Sequence, residues 1–385
     1  MRTKIRRRPN GRWYVMAVDE DGTEHGHGGY RTQREAKAAA AALRTDSVRG
    51  TYVAPERLTV AEYLIGEWLP SRANADISPN TRDTDRTVVE AWILPHIGDV
   101  PLQKLTGKSL DGLYATLRAR GGRGERPLQG KSVRNVHTTL SKALGDAVRR
   151  GHLVVNPILA VDPPARDDSV ERGAWNRDEV RRFLEVASGD RLHAIWRLAL
   201  TAGPRRGELL GLWWEDVDEQ SVHVRRQVLL RPRAVRGGRR LYVRQTLKNR
   251  RPRRVRLDEQ TATHLRRWKA EQASERLAFG RPWHADGGLG VEGSWVVTEP
   301  DGTVVHPDTL LGRWQRLVSA ADVPAIPLHG ARHSYAEIAL SAGVRLDVVS
   351  RTLGHSTAAF TADQYAHDND EAATEAAKLV GELLR

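Results

Sequence analysis

Between Ser221 and Leu257 the chain carries thirteen arginines, one lysine and no aspartate or glutamate. A solvated charged face usually mixes signs, and this one does not. A membrane-binding helix would space apolar residues at helical intervals. Here "VHVRRQVLLR" and "RLYVRQTLKNRRPRRVRL" instead alternate Val, Leu and Tyr with polar residues, and "RAVRGGRR" interrupts them. The pattern predicts strands joined by a glycine turn, a basic β-meander lying against phosphates.

This stretch alone holds more positive charge than the net +13 of all 385 residues, whose pI is near 10.3. Such a balance points to a polyanionic partner, nucleic acid first and anionic membrane second. The length suggests two or three domains. The absence of cysteine excludes a disulfide framework, a Cys-based zinc finger, an iron–sulfur cluster and a thiol nucleophile. No window approaches eighteen consecutive apolar residues, and "MRTKIRRRPNGRW" has no apolar segment behind its charges, so neither a membrane span nor a secretory signal is expected. The chain reads as a soluble cytoplasmic protein.

Three blocks follow from composition. Residues 1–57 open on a basic arm and continue as a strand ("RWYVMAV"), a turn at "DEDGTEHGHGG" and an Ala-rich helix from Thr32 to Leu43. Residues 58–161 read as four or five helices. Thr59 and Glu62 form a capping box ahead of Val60, Tyr63, Leu64 and Trp68. Ser78–Pro79 is a second helix start, a third lies near Ser109, and a fourth runs from Ser132 to about Arg150. A polar, Pro-containing linker, "DPPARDDSVERG", occupies most of 162–174. From Trp175 to the end, helices, basic strands and further helices predict an α+β domain.

Two chemical motifs fail. "LTGKS" ends like a P-loop, but Leu102 stands where its first glycine belongs. "HGARH" has the histidine spacing of a zincin, but Gly330 replaces the general-base glutamate. A scattered set survives in the last block: "AGPRRGELLGLWWEDVD", the lysine of "TLKNRRPRRVRL", "LHGARHSYAE", "LGHS", and a tyrosine, Tyr365, ten residues after His355. Breaking and rejoining a phosphodiester without a metal asks for such a set. Two forked arginines suit the nonbridging oxygens, a nucleophile must hold the phosphate covalently, and the departing oxygen needs a proton that arginine does not release. Lys248 stands alone among the thirteen arginines, with no other lysine between Lys142 and Lys269. It is the candidate proton donor, its pKa open to lowering by cationic neighbours.

These residues resemble the catalytic boxes of the tyrosine recombinases, the lambda-integrase-type site-specific recombinases. "GPRRGELLGL" resembles the first arginine box, with Arg205 in the catalytic position three before Glu208. "HGARHS" resembles the His-x-x-Arg box, giving His329 and Arg332. "LGHS" followed by Tyr365 resembles the last box and its nucleophile. "SPNTRDTDRTVVEAWILPHIGDVPLQKLT" and "SVRNVHTTLSKALGDAVRRGHLVVNPI" look like the family's helical, SAM-like core-binding domain. "GRWYVMAV" through "YRTQREAKAAAAAL" looks like the arm-binding module of phage and integrative-element integrases. Departures are Ala202 for a common threonine, Pro204 before the arginine, Ala331 for a common leucine, and Leu247 ahead of Lys248.

The resemblance implies a multidomain protein: a small N-terminal sheet-plus-helix arm-binding domain (1–57), an all-α core-binding domain (58–161), a linker (162–174) and an α+β catalytic domain with a C-terminal tail helix (175–385). It implies that Tyr365 attacks the scissile phosphate, Arg205 and Arg332 clamp its oxygens, His355 adds a hydrogen bond, His329 assists proton transfer and Lys248 protonates the leaving oxygen, with no metal and no other cofactor. The implied partners are double-stranded DNA attachment sites, a homotetramer joining two duplexes through a Holliday junction, an excisionase and a host DNA-bending protein. Arg6, Arg7 and Arg8 near the N-terminus and Arg250 and Arg251 in the basic strands are expected on DNA. "DEAATEAAKLVGELLR" reads as an amphipathic tail helix that docks on a neighbouring protomer or on its own domain. A chromosome-dimer resolvase of the same superfamily and a non-catalytic DNA-binding regulator are the alternatives.

Overall fold

A computed structural model describes residues 1–19, 22–122, 124–165, 173–230, 241–247, 252–280 and 282–354. The chain divides into two units, 1–169 and 170–385. In the first, β1 (Arg2–Arg7), β2 (Trp13–Val18) and β3 (Glu24–Tyr30) form an antiparallel sheet in the order β1-β2-β3, followed by α1 (Gln33–Val48). The expected basic arm is an edge strand, with Ile5 paired with Val15 across the ladder. The expected turn over "DEDGTEHGHGG" is mostly strand. His25 and His27 pair with Ala17 and Val15, and this period-two burial is hidden in the sequence by the intervening glycines. Val15, Ala36 and Ala40 form a small core beneath Ile5, Trp13 and Leu43.

The helical part of this unit begins with α2, residues 60–74, whose Thr59–Glu62 capping box is present and whose middle turn, Leu64–Trp68, is a π turn. A second π turn, Val89–Ile93, interrupts α3, residues 79–97, which Ser78 caps. Then come α4 (Gly107–Arg120) and α5 (Gly130–Arg149). Both start two residues before the expected serines. Thr106 supplies the cap for α4, its hydroxyl accepting from the Ser109 N–H. The apolar stripes meet in one core that includes Tyr63, Trp68, Ile93, Leu113, Val136 and Leu140.

The second unit opens with α6 (Arg177–Val186), set by the Asn176–Glu179 capping box, then α7 (His193–Ala202) and the short α8 (Arg206–Leu210). Four strands follow: β4 (Ser221–Val224), β5 (Gln227–Leu230), β6 (Leu241–Arg244) and β7 (Arg253–Arg256). Strands were expected here, but not this pairing. β4 pairs with β7 and β5 with β6, two nested antiparallel pairs and not a meander. The helices α9 (Glu259–Ala278), α10 (Pro307–Ala320), α11 (Leu328–Ser341) and α12 (Leu346–Leu353) complete the described fold. Trp175, Phe183 and Trp314 pack at its centre, with Trp175 and Trp314 stacked at 5.2 Å. Each indole keeps its N–H satisfied: Trp175 donates to the Pro324 carbonyl and Trp314 to that of Ile326, both at 2.8 Å. The Trp175 backbone N–H donates to the Ser334 hydroxyl (2.8 Å), which fixes the middle of α11 to this core.

Candidate active site

The chain leaves α7 through Gly203, whose φ of 62° lies in the left-handed region. A Cβ there would stand 2.6 Å from Leu353 Cδ2, so the turn needs glycine for space as well as for conformation. Arg205 comes next as the cap residue of α8, in extended backbone. Its N–H donates to Glu208 Oε2 and its Nη1 to Glu208 Oε1, both at 2.9 Å. At Gly207 a Cβ would lie 2.8 Å from the Val228 carbonyl oxygen, so the arginine turn rests directly on β5.

Glu208 is only 2% exposed, and a buried carboxylate needs paired cations. Arg253 of β7 supplies a fork, Nη1 to Oε1 at 3.1 Å and Nη2 to Oε2 at 2.6 Å. Burial pushes the Glu208 carboxyl up, but the bonds and charge of Arg253, joined by those of Arg205, outweigh it and hold the pKa at about 2. Arg253 Nε donates in turn to the Thr352 carbonyl at the end of α12 (2.7 Å).

Arg332 reaches the same turn from α11. Although only 2% exposed, it donates from Nη1 to the Gly203 carbonyl (2.8 Å) and from Nη2 to the Leu353 carbonyl (2.6 Å). His329 lies three residues earlier, on the same face of the helix, exposed in the first turn and edge-on to His333 with ring centroids 5.2 Å apart. Arg205 and Arg332 therefore meet at one junction of four segments, the 203–208 turn, β7, α11 and the end of α12, and His329 stands one turn before Arg332 on α11. Lys248, His355 and Tyr365 lie outside the described residues, as do Arg250, Arg251 and the expected tail helix. Leu247, just before Lys248, is buried in the core. Gly354, just before His355, ends α12 with φ of 67° against the Arg253 side chain.

The basic strands do not present all their arginines outward. Arg225 and Arg226 pair with Asp216, Arg225 Nη2 at 2.8 Å from Oδ1, and Arg226 stacks over Trp213 at 3.5 Å. Arg254 pairs with Asp218 at 2.6 Å. The acids come from just before the stretch, which is why an acid-free segment reads as wholly unpaired. In the sequence Glu208 serves only to locate Arg205, and Arg253 is one of the phosphate-facing set. The signal was there: Arg253 stands two residues from the apolar Val255, and a strand puts both on one face. At the other end of the chain, Arg6 lies 3.4 Å from Glu24, while Arg7 and Arg8 sit over Trp13 and Tyr14 at 5.8 and 4.4 Å. All three are exposed.

A family model for the phage integrase family matches residues 175–372, the span that carries this junction and every sequence box on which the resemblance rests. The chain belongs to the phage integrase family. Its members here include a XerC-like tyrosine recombinase of Caldanaerobacter subterraneus subsp. tengcongensis, 30% identical over 66% of this chain and 66% of that protein. The ICEBs1 integrase of Bacillus subtilis is 26% identical over 83% of this chain and 82% of its own length. The Tn1549 transposon integrase, solved with transposon right end DNA, superposes with a TM-score of 0.68 at 19% identity, covering 84% of this chain and 99% of that one. The lambda integrase tetramer bound to a Holliday junction gives 0.59 at 17% identity, covering 94% of each. At these identities the structural likeness is one of fold: multidomain, mixed helix and sheet. The family makes the chain a tyrosine-type site-specific DNA recombinase.

Proposed function

We propose that the protein is the integrase of a mobile genetic element, cutting and resealing DNA attachment sites through Tyr365. The Tyr365 oxygen attacks the scissile phosphorus, the bond from phosphorus to the 5′ oxygen breaks, and a 3′-phosphotyrosine and a 5′-hydroxyl result. The tyrosine proton passes to His329, and Lys248 protonates the leaving oxygen. Arg205, Arg332 and His355 stabilise the charge on the nonbridging oxygens. Tyrosine ordinarily ionises near pH 10, so a nucleophile at neutral pH needs this cationic setting. Attack of a 5′-hydroxyl on the phosphotyrosine reverses the step and needs no ATP. The observation that carries this reading is the Arg332 guanidinium bonded to the backbone of the turn that bears Arg205.

The proposed organisation is an arm-type module (1–57), in which Arg6, Arg7 and Arg8 face DNA, a core-binding domain (58–161), a linker (162–174) and the catalytic domain (175–385). Arg250 and Arg251 contact core DNA. Four protomers join two duplexes and exchange strands through a Holliday junction in the bacterial cytoplasm, at the nucleoid, with an excisionase and a host DNA-bending protein setting direction. The XerC-like relative favours a second reading, a chromosome-dimer resolvase; the sheet-plus-helix module ahead of the helical part supports the integrase. Tyr365→Phe is expected to abolish SDS-resistant protein–DNA adduct while leaving core-site binding nearly intact. Adduct persisting in that variant would refute the nucleophile.

A further inference from the structure

Arg253 and Arg205 share one carboxylate but spend their donors differently. Every guanidinium nitrogen of Arg253 is engaged inside the protein, two on Glu208 and one on the Thr352 carbonyl, and its side chain is 8% exposed. Arg205 gives Glu208 one guanidinium nitrogen, and its side chain is 32% exposed. Among the described residues its Nε and Nη2 meet no acceptor. One arginine is thus built in, and the other is held at one corner with donors to spare. Glu208 stands between them and also accepts from the Arg205 backbone, so it fixes both the main chain and the side chain of Arg205. Its own position is set by the Arg253 fork.

We propose that Arg253 is a positioning residue for strand cleavage. It acts through Glu208 to aim Arg205 at the scissile phosphate, and its Thr352 bond keys that aim to the end of α12, the segment that leads into His355 and Tyr365. This rests on the recombinase reading above. The fork matters as much as the charge: a lysine reaches one carboxylate oxygen and cannot also hold the Thr352 carbonyl in the same plane. A small displacement of a phosphate-clamping group is enough to slow chemistry on the order of 100-fold without removing binding.

The test is single-turnover cleavage of a nicked core-site duplex by full-length protein, with core-site affinity measured alongside. Arg253→Gln and Arg253→Lys are expected to bind the duplex within a few-fold of wild type and to cleave it on the order of 100-fold more slowly. Arg253→Lys keeps a cation beside Glu208 and serves if Arg253→Gln does not fold. The decisive readout is a cycle with Arg205→Ala. If Arg253 works through Arg205, adding Arg253→Lys to Arg205→Ala slows cleavage no further. Rate losses that multiply, or full-rate cleavage by Arg253→Lys, would overturn the positioning role while leaving the recombinase intact. No adduct from the wild type would overturn the recombinase reading, and the positioning role with it.

Discussion

Glu208 concentrates the residue-scale chemistry, because one buried carboxylate orders both an arginine aimed outward and an arginine locked inward. Its depressed pKa ties stability to pH in a defined direction. The charged form is favoured by folding, so its contribution is complete above the ordinary glutamate value of 4.5 and is lost as pH falls toward about 2. Urea unfolding across that acidic range is expected to show wild type losing stability that Glu208→Gln never had. At neutral pH the variant should be less stable by roughly 1–3 kcal/mol, since a charge-assisted fork is replaced by weaker bonds in a buried site. Equal acid profiles for the two proteins would place the titration elsewhere. Arg205, His329 and Arg332 were singled out by the resemblance of their boxes, whose internal spacing is local, and of these the structure brings the Arg332 guanidinium onto the turn that bears Arg205. Arg253 was not, since among thirteen arginines its role depends on which strand face it occupies and on an acid 45 residues away.

At the scale of elements, the helices were readable because their start signals are local: Thr59 and Ser78 each cap the helix expected of them, and Asn176 caps the first helix of the last block in the same way. The strand pairing was not, because nesting β5–β6 inside β4–β7 is decided by long-range register, and the alternation of each strand is the same in either topology. A second long-range feature is the anchoring of segment 54–58. Gln103 Nε2 donates to the Ala54 carbonyl (2.8 Å), and Gln103 Oε1 accepts from the Glu56 N–H (3.2 Å). His152 binds Glu56 through Nδ1 (3.1 Å) and Glu67 through Nε2 (3.0 Å), which requires both nitrogens protonated. Burial opposes that charge, but the bonds to Glu56 and Glu67 prevail and raise the His152 pKa. The clasp therefore contributes fully below the ordinary histidine value and weakens as pH rises through the raised one. Limited proteolysis of 51–58 is expected to accelerate on going from mildly acidic to alkaline pH in wild type, and to be fast at both in His152→Gln. Cleavage insensitive to pH in wild type would remove the clasp from the account.

For the whole molecule, a net charge of +13 supplies affinity for any duplex, and attachment-site choice has to come from contacts to base edges and from DNA shape. Deleting residues 1–57 is expected to spare cleavage of core-site DNA and to impair integration, measured as recombinant product between two attachment sites; unchanged integration would count against an arm-binding module. The proposal that all of this serves covalent strand exchange is tested most directly by incubating purified protein, in EDTA, with a nicked duplex carrying a candidate attachment core and resolving the products in SDS. The expected product is an adduct in which Tyr365 is joined to a 3′ phosphate, with a free 5′-hydroxyl released. Tight core-site binding with no adduct, or an adduct on a 5′ phosphate, would contradict it.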